Sequence, residues 1–260
     1  MLRKLIAYDF QSTAKQYAMI LGLSSLAAIV GTIAMAFEDK LRVLNALTTF
    51  CMLGAFVAPM AIWILVAIHY HKKFFSDEAY LTFTLPATPG QHLASKLISG
   101  SIWYFAAIGV IVFNVVLMIV VDTIINPIEP LPPATDGGTI SDTESAVVSW
   151  LLISLLSWLI CAVVAIISQI ALMYLSLTIS GSIATKHKGI MGVLVYMALD
   201  SIVGTIIGIV EAILMISLIF TVEEQAFAVL GIISTVIYAA LFALCVWITH
   251  YLLSRKLNIQ

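Results

Sequence analysis

Charge is scarce in this sequence: 12 Lys and Arg and 14 Asp and Glu are spread over 260 residues, so only 10% of the chain is charged. A soluble domain is about 25% charged and uses that polarity to cover its surface. Since 62% of the residues are hydrophobic, one soluble core cannot hide the apolar surface. The composition excludes an ordinary soluble enzyme, a disordered chain and a nucleic-acid binder, and it leaves a polytopic helical membrane protein.

Catalytic and metal-binding motifs are also missing. The sequence contains no GxxxxGK[ST] nucleotide-binding loop, no GxSxG, no HExxH and no CxxC. The three cysteines, Cys51, Cys161 and Cys245, are isolated within apolar runs. We therefore expect a non-catalytic chain with no disulfide, no metal site and no bound cofactor.

Long apolar runs are what the sequence does have. Six of them reach the length of about 20 residues that one membrane crossing requires, within a single transmembrane domain over 1–260. The first run is longer than the apolar region of a signal peptide, so we expect it to be retained as a span. The predicted spans lie near 17–37, 45–70, 97–121, 147–183, 189–222 and 226–253.

The distribution of Lys and Arg predicts the orientation. With the N-terminus inside, the cytoplasmic segments carry ten of the twelve cations, and the external segments carry only Lys40 and Arg42. Positive charge concentrates on the cytoplasmic side of membrane proteins. Six spans with this bias place both termini in the cytoplasm, in the cytoplasmic membrane, with 122–146 as a proline-rich external loop that ends in a capping box before the fourth span.

The first 16 residues differ from the span that follows them. Apolar side chains recur at helical spacing between basic and polar ones, which is typical of an amphipathic helix lying on the membrane face. The alternative is a plain extension of the first span. The fourth and fifth spans are longer than one crossing needs, so we expect them either to project from the bilayer or to contain interfacial or re-entrant pieces.

Two carboxylates lie well inside the fifth span. Asp200 and Glu211 share one helical face with Gly204 and Gly208, whose spacing also fits a small-xxx-small contact within the subunit or between subunits. Ionised groups inside a bilayer need a partner or a cavity. Two hypotheses remain open: a polar pathway for a cationic substrate, or structural hydrogen bonds to neighbours. The candidate neighbours are Ser201, Thr205, Asn114 and Gln169.

The cytoplasmic segment 71–96 mixes aromatic and acidic residues where the chain should be in water. An apolar surface rimmed by charge is typical of a docking site. We expect a short helix from about Phe75 to Leu85, ended by Pro86 and Pro89.

Residues 75–86 read aromatic–x–Asp–Glu–small–Tyr–Leu–Thr–Phe–Thr–Leu–Pro, followed by a polar turn and Ser95-Lys96-Leu97. This stretch resembles the membrane subunits of ABC transporters of the ABC-2 type, in particular those of Gram-positive bacteria. The whole chain is similar to them in outline. The resemblance implies a fold like that of type V ABC exporters, with 1–16 as the connecting helix.

The resemblance also implies partners. Such subunits dimerise with an identical or homologous permease and bind separate ATPase subunits, which hold the ATP and Mg²⁺. The loop 71–96 would be the coupling helix that docks on the ATPase. The implied contact residues are Phe74, Phe75, Asp77, Glu78, Tyr80 and Leu81. Re-entrant helices before the last span would have to lie within 209–222.

The function expected on this basis is that of a permease subunit in an ATP-driven exporter. Two alternatives stay open from the residues alone. One is an ion-coupled secondary transporter that uses Asp200 or Glu211, although no inverted repeat is evident. The other is a non-transporting assembly or immunity protein of the membrane.

Overall fold

All described residues of the protein fall in helices or short connections, which confirms the all-α class for this part of the chain. The computed structural model describes residues 2–35, 37, 42–75, 87–125, 142–183, 188–222 and 226–255. The six helices within these ranges are α1 (Leu2–Met35), α2 (Arg42–Phe75), α3 (Pro89–Ile125), α4 (Asp142–Ile183), α5 (Lys188–Val222) and α6 (Ala226–Arg255).

Five of these helices are long and apolar enough to cross a membrane. The qualifying stretches are Leu2–Met35, Pro89–Ile125, Ser149–Ile183, Gly189–Leu218 and Ala226–Ser254. They correspond to the first, third, fourth, fifth and sixth predicted spans. The second predicted span, 45–70, lies within α2, and its crossing stays a prediction. The chain therefore has the character of a multi-pass membrane protein.

The separate amphipathic helix predicted over residues 1–16 does not occur. Helix α1 runs without interruption for 34 residues, so this segment extends the first span, as the alternative interpretation has it. Neither proline nor glycine occurs before Gly22, and nothing in the sequence interrupts the backbone hydrogen bonds. The buried positions Asp9, Thr13 and Tyr17 also continue one face into the later part of the helix.

Helix α3 begins eight residues before the predicted span, at Pro89. Pro89 is the first residue of this helix, a position for which proline is well suited. Thr88 and Gln91 form a reciprocal cap: the Thr88 N–H donates to Gln91 Oε1 at 3.3 Å, and the Gln91 N–H donates to Thr88 Oγ1 at 3.4 Å. The sequence Thr-Pro-Gly-Gln is thus a capping box that the sequence analysis missed.

The fourth and fifth predicted spans are continuous helices. Helix α4 has 42 residues and is about 63 Å long, so it exceeds the bilayer core and starts at the predicted capping box. Helix α5 has no break at its glycines and continues to Val222. A re-entrant piece within 209–222, which was left open as an alternative, is not formed in the described residues 188–222, since this stretch is one continuous helix.

The chain divides into two compact units. The first contains Met1–His69 and Ala94–Ala134, and the second contains Tyr70–Leu93 and Thr135–Gln260. In the first unit, Asp9 of α1 contacts Lys96 of α3, and Phe10 stacks on Trp103. Because residue numbers rise together in these contacts, α1 and α3 run parallel.

The second unit is built around α4, which packs against α5 and α6. From Ile170 to Thr178 every side chain of α4 is buried, so the helix is enclosed on all sides there. Ser168 donates to the Tyr238 carbonyl, and Trp158 donates to the Phe227 carbonyl, so α4 and α6 are parallel. Helix α5 runs antiparallel to both.

Candidate functional site

The predicted coupling residues fall on both sides of the end of α2. Asp77, Glu78, Tyr80 and Leu81 lie outside the described residues, as does most of the short helix expected over 75–85. Phe74 and Phe75 form the last turn of α2. Phe74 is only 1% exposed, so it packs inside the protein and offers no surface to a partner in this structure.

We call the loop 71–96 the coupling segment, and we call the end of α2 and the start of α3 its amino-terminal and carboxyl-terminal bases. The amino-terminal base is packed against α4. Tyr70 stacks on Tyr174 with ring centroids 4.0 Å apart and planes 9° apart, and its hydroxyl is 2.8 Å from Thr178 Oγ1. Phe75 packs so closely on Gly181 that a Cβ there would meet its ring at 2.2 Å. These contacts restrain the end of α2 against α4. They are the ring stack and the buried hydrogen bond of Tyr70, and the packing of the Phe75 ring on the Gly181 backbone.

The carboxyl-terminal base is the capped start of α3. Gly90 lies against His250 near the end of α6, since a Cβ on Gly90 would be 3.2 Å from the His250 ring. His71 of α2 likewise lies near Gly189 at the start of α5. Both bases of the coupling segment therefore lie at one end of the second unit, where α2, α4 and α6 end and α3 and α5 begin.

A buried ion pair in the first unit joins α1 to α3. Lys96 Nζ contacts Asp9 Oδ1, and Ser95 Oγ donates to Asp9 Oδ2 at 2.9 Å. Both oxygens of the carboxylate are thus bound by neighbouring residues of α3, and Asp9 and Lys96 are each 4% exposed. Lys96 was predicted only as a cytoplasmic cation, and Asp9 was not predicted as its partner. The spacing of Asp9, Thr13 and Tyr17, each four residues apart on one helical face, could have indicated that Asp9 is buried.

An aromatic cluster continues this contact along the two helices. Trp103 stacks on Phe10 at 4.6 Å, and Tyr17 meets Trp103 edge-on at 5.2 Å. Trp103 lies seven residues after Lys96, so both residues belong to one face of α3. The Asp9–Lys96 ion pair and the contacts of Trp103 with Phe10 and Tyr17 together fix the register of α1 against α3.

Asp200 and Glu211 both lie half-buried on α5. Neither makes a hydrogen bond or an ion pair with a described residue. Glu211 is close enough to Cys161 of α4 and to Tyr238 of α6 for electrostatic interaction, and Asp200 also acts on Tyr238. The structural hydrogen bonds of the second hypothesis, to Asp200 or Glu211, are therefore not formed among the described residues.

The residues proposed to bind Asp200 have other surroundings. Gln169 Oε1 accepts a long hydrogen bond of 3.5 Å from the Tyr196 hydroxyl, within the second unit. Asn114 belongs to the first unit, and Asp200 belongs to the second. Asn114 is 4% exposed, and neither polar atom of its amide has a hydrogen-bond partner among the described residues.

The glycines between the two carboxylates lie on an open surface. A Cβ added to Gly204 or Gly208 would meet no described atom within 4 Å, so a contact within the subunit, one of the two alternatives for their spacing, is not formed with the described residues. Among the described side chains of α5, only Gly192 and Ile207 are buried. The other described side chains of this helix are half-buried or exposed.

Among the described residues, no group of three or more His, Cys, Asp or Glu side chains is placed to hold a metal ion. Cys161 and Cys245 are buried as free thiols, and Cys51 is half-buried.

Comparison of the chain with family models, with curated proteins and with solved structures finds no match.

Proposed function

We propose that this chain is the permease subunit of an ATP-driven ABC exporter of the ABC-2 type in the cytoplasmic membrane. The observation that carries the proposal is the aromatic and acidic segment 74–97, with its resemblance to the coupling segments of that family. The subunit itself is not an enzyme. Separate ATPase subunits bind ATP and Mg²⁺, and a second permease, identical or homologous, completes the transporter.

The contacts around this segment support a role in transmitting movement. The segment leaves α2 directly after a turn locked to α4 by Tyr70, and it enters α3 through a capped turn against α6. Packed helices move as rigid bodies because close-packed interiors do not deform continuously. A displacement at Asp77 and Glu78 would therefore reach the helices that enclose the second unit.

Alternating access then follows from a shift between two arrangements of these helices. ATP binding closes the two ATPase subunits and moves the coupling segments that sit on them. The permease responds only to the extent that the ATPase contacts favour one arrangement over the other. Asp77, Glu78, Tyr80 and Leu81 make the contact, while Tyr70 and Phe75 hold its base.

The test is co-purification of a separate ATPase with the full chain, which is produced together with its neighbouring genes. Reversal of both acids, Asp77→Lys with Glu78→Lys, should weaken the association at least about tenfold, because like charges in an interface cost several kcal/mol. The matched control reverses Glu129 and Asp136 in the predicted external loop and should leave the association unchanged. Equal recovery of the ATPase with both double variants would contradict the docking assignment.

An ion-coupled transporter is the second candidate, and it rests on Asp200 and Glu211. Two half-buried carboxylates without a hydrogen-bonding partner among the described residues are suitable for binding a proton or a cation within a span. Transport that persists after ATP depletion and stops when the ion gradient collapses would favour this candidate over the ABC permease.

A further inference from the structure

Asn114 lies in the apolar part of α3 with its amide group unsatisfied. The residue is 4% exposed, whereas Val116, two positions later, is 52% exposed. Neither Nδ2 nor Oδ1 of Asn114 has a hydrogen-bond partner among the described residues. A primary amide has two donor hydrogens and an acceptor oxygen, so this position combines deep burial with unused polarity of both kinds.

The same face of α3 carries a second unused donor. Trp103 Nε1 is buried and has no acceptor in the described part of the chain. Trp103 and Asn114 are 11 residues apart, which places them within about 20° of each other around the helix and about 17 Å apart along it. Because Trp103 packs on Phe10 and Tyr17, this face of α3 points toward α1.

The facing side of α1 is small and polar at the corresponding height. Since α1 and α3 run parallel and Trp103 lies between Phe10 and Tyr17, a further 11 residues on both helices brings Asn114 to about the level of Ser24. Ser24 and Ala28 are both buried there. We use the name α1–α3 seam for the buried residues on these two faces. They are Asp9, Thr13, Tyr17, Ser24 and Ala28 of α1 and Lys96, Ser99, Trp103, Ala107 and Asn114 of α3.

An unsatisfied amide at this depth is costly. Transfer of such a group from water to an apolar environment without a hydrogen bond costs about 2–7 kcal/mol, and hydrocarbon chains of lipid supply no partner. The group that satisfies Asn114 must both donate and accept hydrogen bonds. It is also uncharged, because an ion in the apolar part of a span costs far more than a neutral polar group.

We propose that the α1–α3 seam is a water-binding site within the membrane span, in which water hydrogen-bonds to the Asn114 amide and to Trp103 Nε1. Water donates and accepts, carries no charge and fits between small side chains. The seam then forms a hydrated polar stripe that extends from the Asp9–Lys96 pair toward the middle of α3. This inference concerns the first unit and does not depend on the proposed transport function.

The test measures thiol reactivity in the full chain, reconstituted in lipid nanodiscs. The background variant replaces Cys51, Cys161 and Cys245 by Ala. Single cysteines are then introduced as Ala107→Cys, which keeps the Asn114 amide, and as Val116→Cys on the exposed face. The reagent is methyl methanethiosulfonate, which is small, neutral and soluble in lipid, so its own charge favours neither position.

The thiolate is the reactive form, and it forms only where water reaches the sulfur. We expect the Ala107→Cys variant to react at least about tenfold faster than Val116→Cys, although the latter position is far more exposed to lipid. Adding Asn114→Leu to Ala107→Cys should slow its reaction at least about tenfold. A rate for Ala107→Cys as low as that of Val116→Cys would overturn the proposal, as would a rate for Ala107→Cys unaffected by Asn114→Leu.

Discussion

Removing the carboxylate of Asp9 should destabilise the first unit strongly. In Asp9→Asn the Lys96 ammonium, on a residue that is 4% exposed, loses its counter-charge. Loss of one partner from a buried ion pair costs about 3–5 kcal/mol, because the remaining charge stays desolvated. Lys96→Met should cost a similar amount, since it leaves the buried Asp9 carboxylate without the Lys96 ammonium. Equilibrium unfolding in mixed micelles measures each change in the free energy of unfolding.

The double variant Asp9→Leu with Lys96→Met separates pairing from packing. Replacement of both charges by apolar side chains of similar size should be nearly neutral, within about 1 kcal/mol of the parent. Measured together with the single variants Asp9→Leu and Lys96→Met, the double variant completes a double-mutant cycle, which should give a coupling energy of at least about 3 kcal/mol. Asp200→Asn, at a half-buried carboxylate, serves as control and should change stability by less than about 1 kcal/mol. A double variant as unstable as the sum of the single variants would refute the pairing.

Three further predictions concern packing in the second unit. Gly181→Ala should lower the melting temperature, since its Cβ would meet the Phe75 ring at 2.2 Å and overpacking costs about 1–3 kcal/mol. Gly204→Ala should leave the melting temperature unchanged or raise it, because the site is open and alanine favours the helix by up to about 1 kcal/mol; a loss as large as that of Gly181→Ala would contradict this. Tyr70→Phe should cost about 0.5–1.5 kcal/mol in the free energy of unfolding, because the ring stack remains and only the hydrogen bond to Thr178 is lost; an unchanged value would show that the bond contributes nothing.

The helices follow from the sequence because apolar runs of span length leave the backbone no other structure in a bilayer. Their ends were harder to predict. Pro89 reads equally well as the end of one helix and as the first residue of the next, and only the reciprocal cap of Thr88 and Gln91 decides between them. The continuity of α1 through residue 16 was also missed, since a pattern of apolar residues marks a face and not a boundary.

The candidate site shows where sequence reasoning stops. The apolar run around Asp200 and Glu211 identified them as carboxylates within a span. The sequence could not show that the structural hydrogen bonds considered for them are missing among the described residues. Asp9 was overlooked because its partner Lys96 lies 87 positions away, and no local spacing reports a contact between distant helices. Phe74 is one of the contact residues that the resemblance implies, yet its side chain is buried in the protein.

The most direct test of the proposed function is ATP hydrolysis by the affinity-purified complex. The chain, produced together with its neighbouring genes and held in lipid nanodiscs, should retain a stoichiometric ATPase and hydrolyse ATP in a vanadate-sensitive manner. A preparation of the Asp77→Lys, Glu78→Lys variant should lose this activity together with the ATPase. Absence of vanadate-sensitive hydrolysis from the parent complex, or equal hydrolysis by the parent and the variant, would contradict the account.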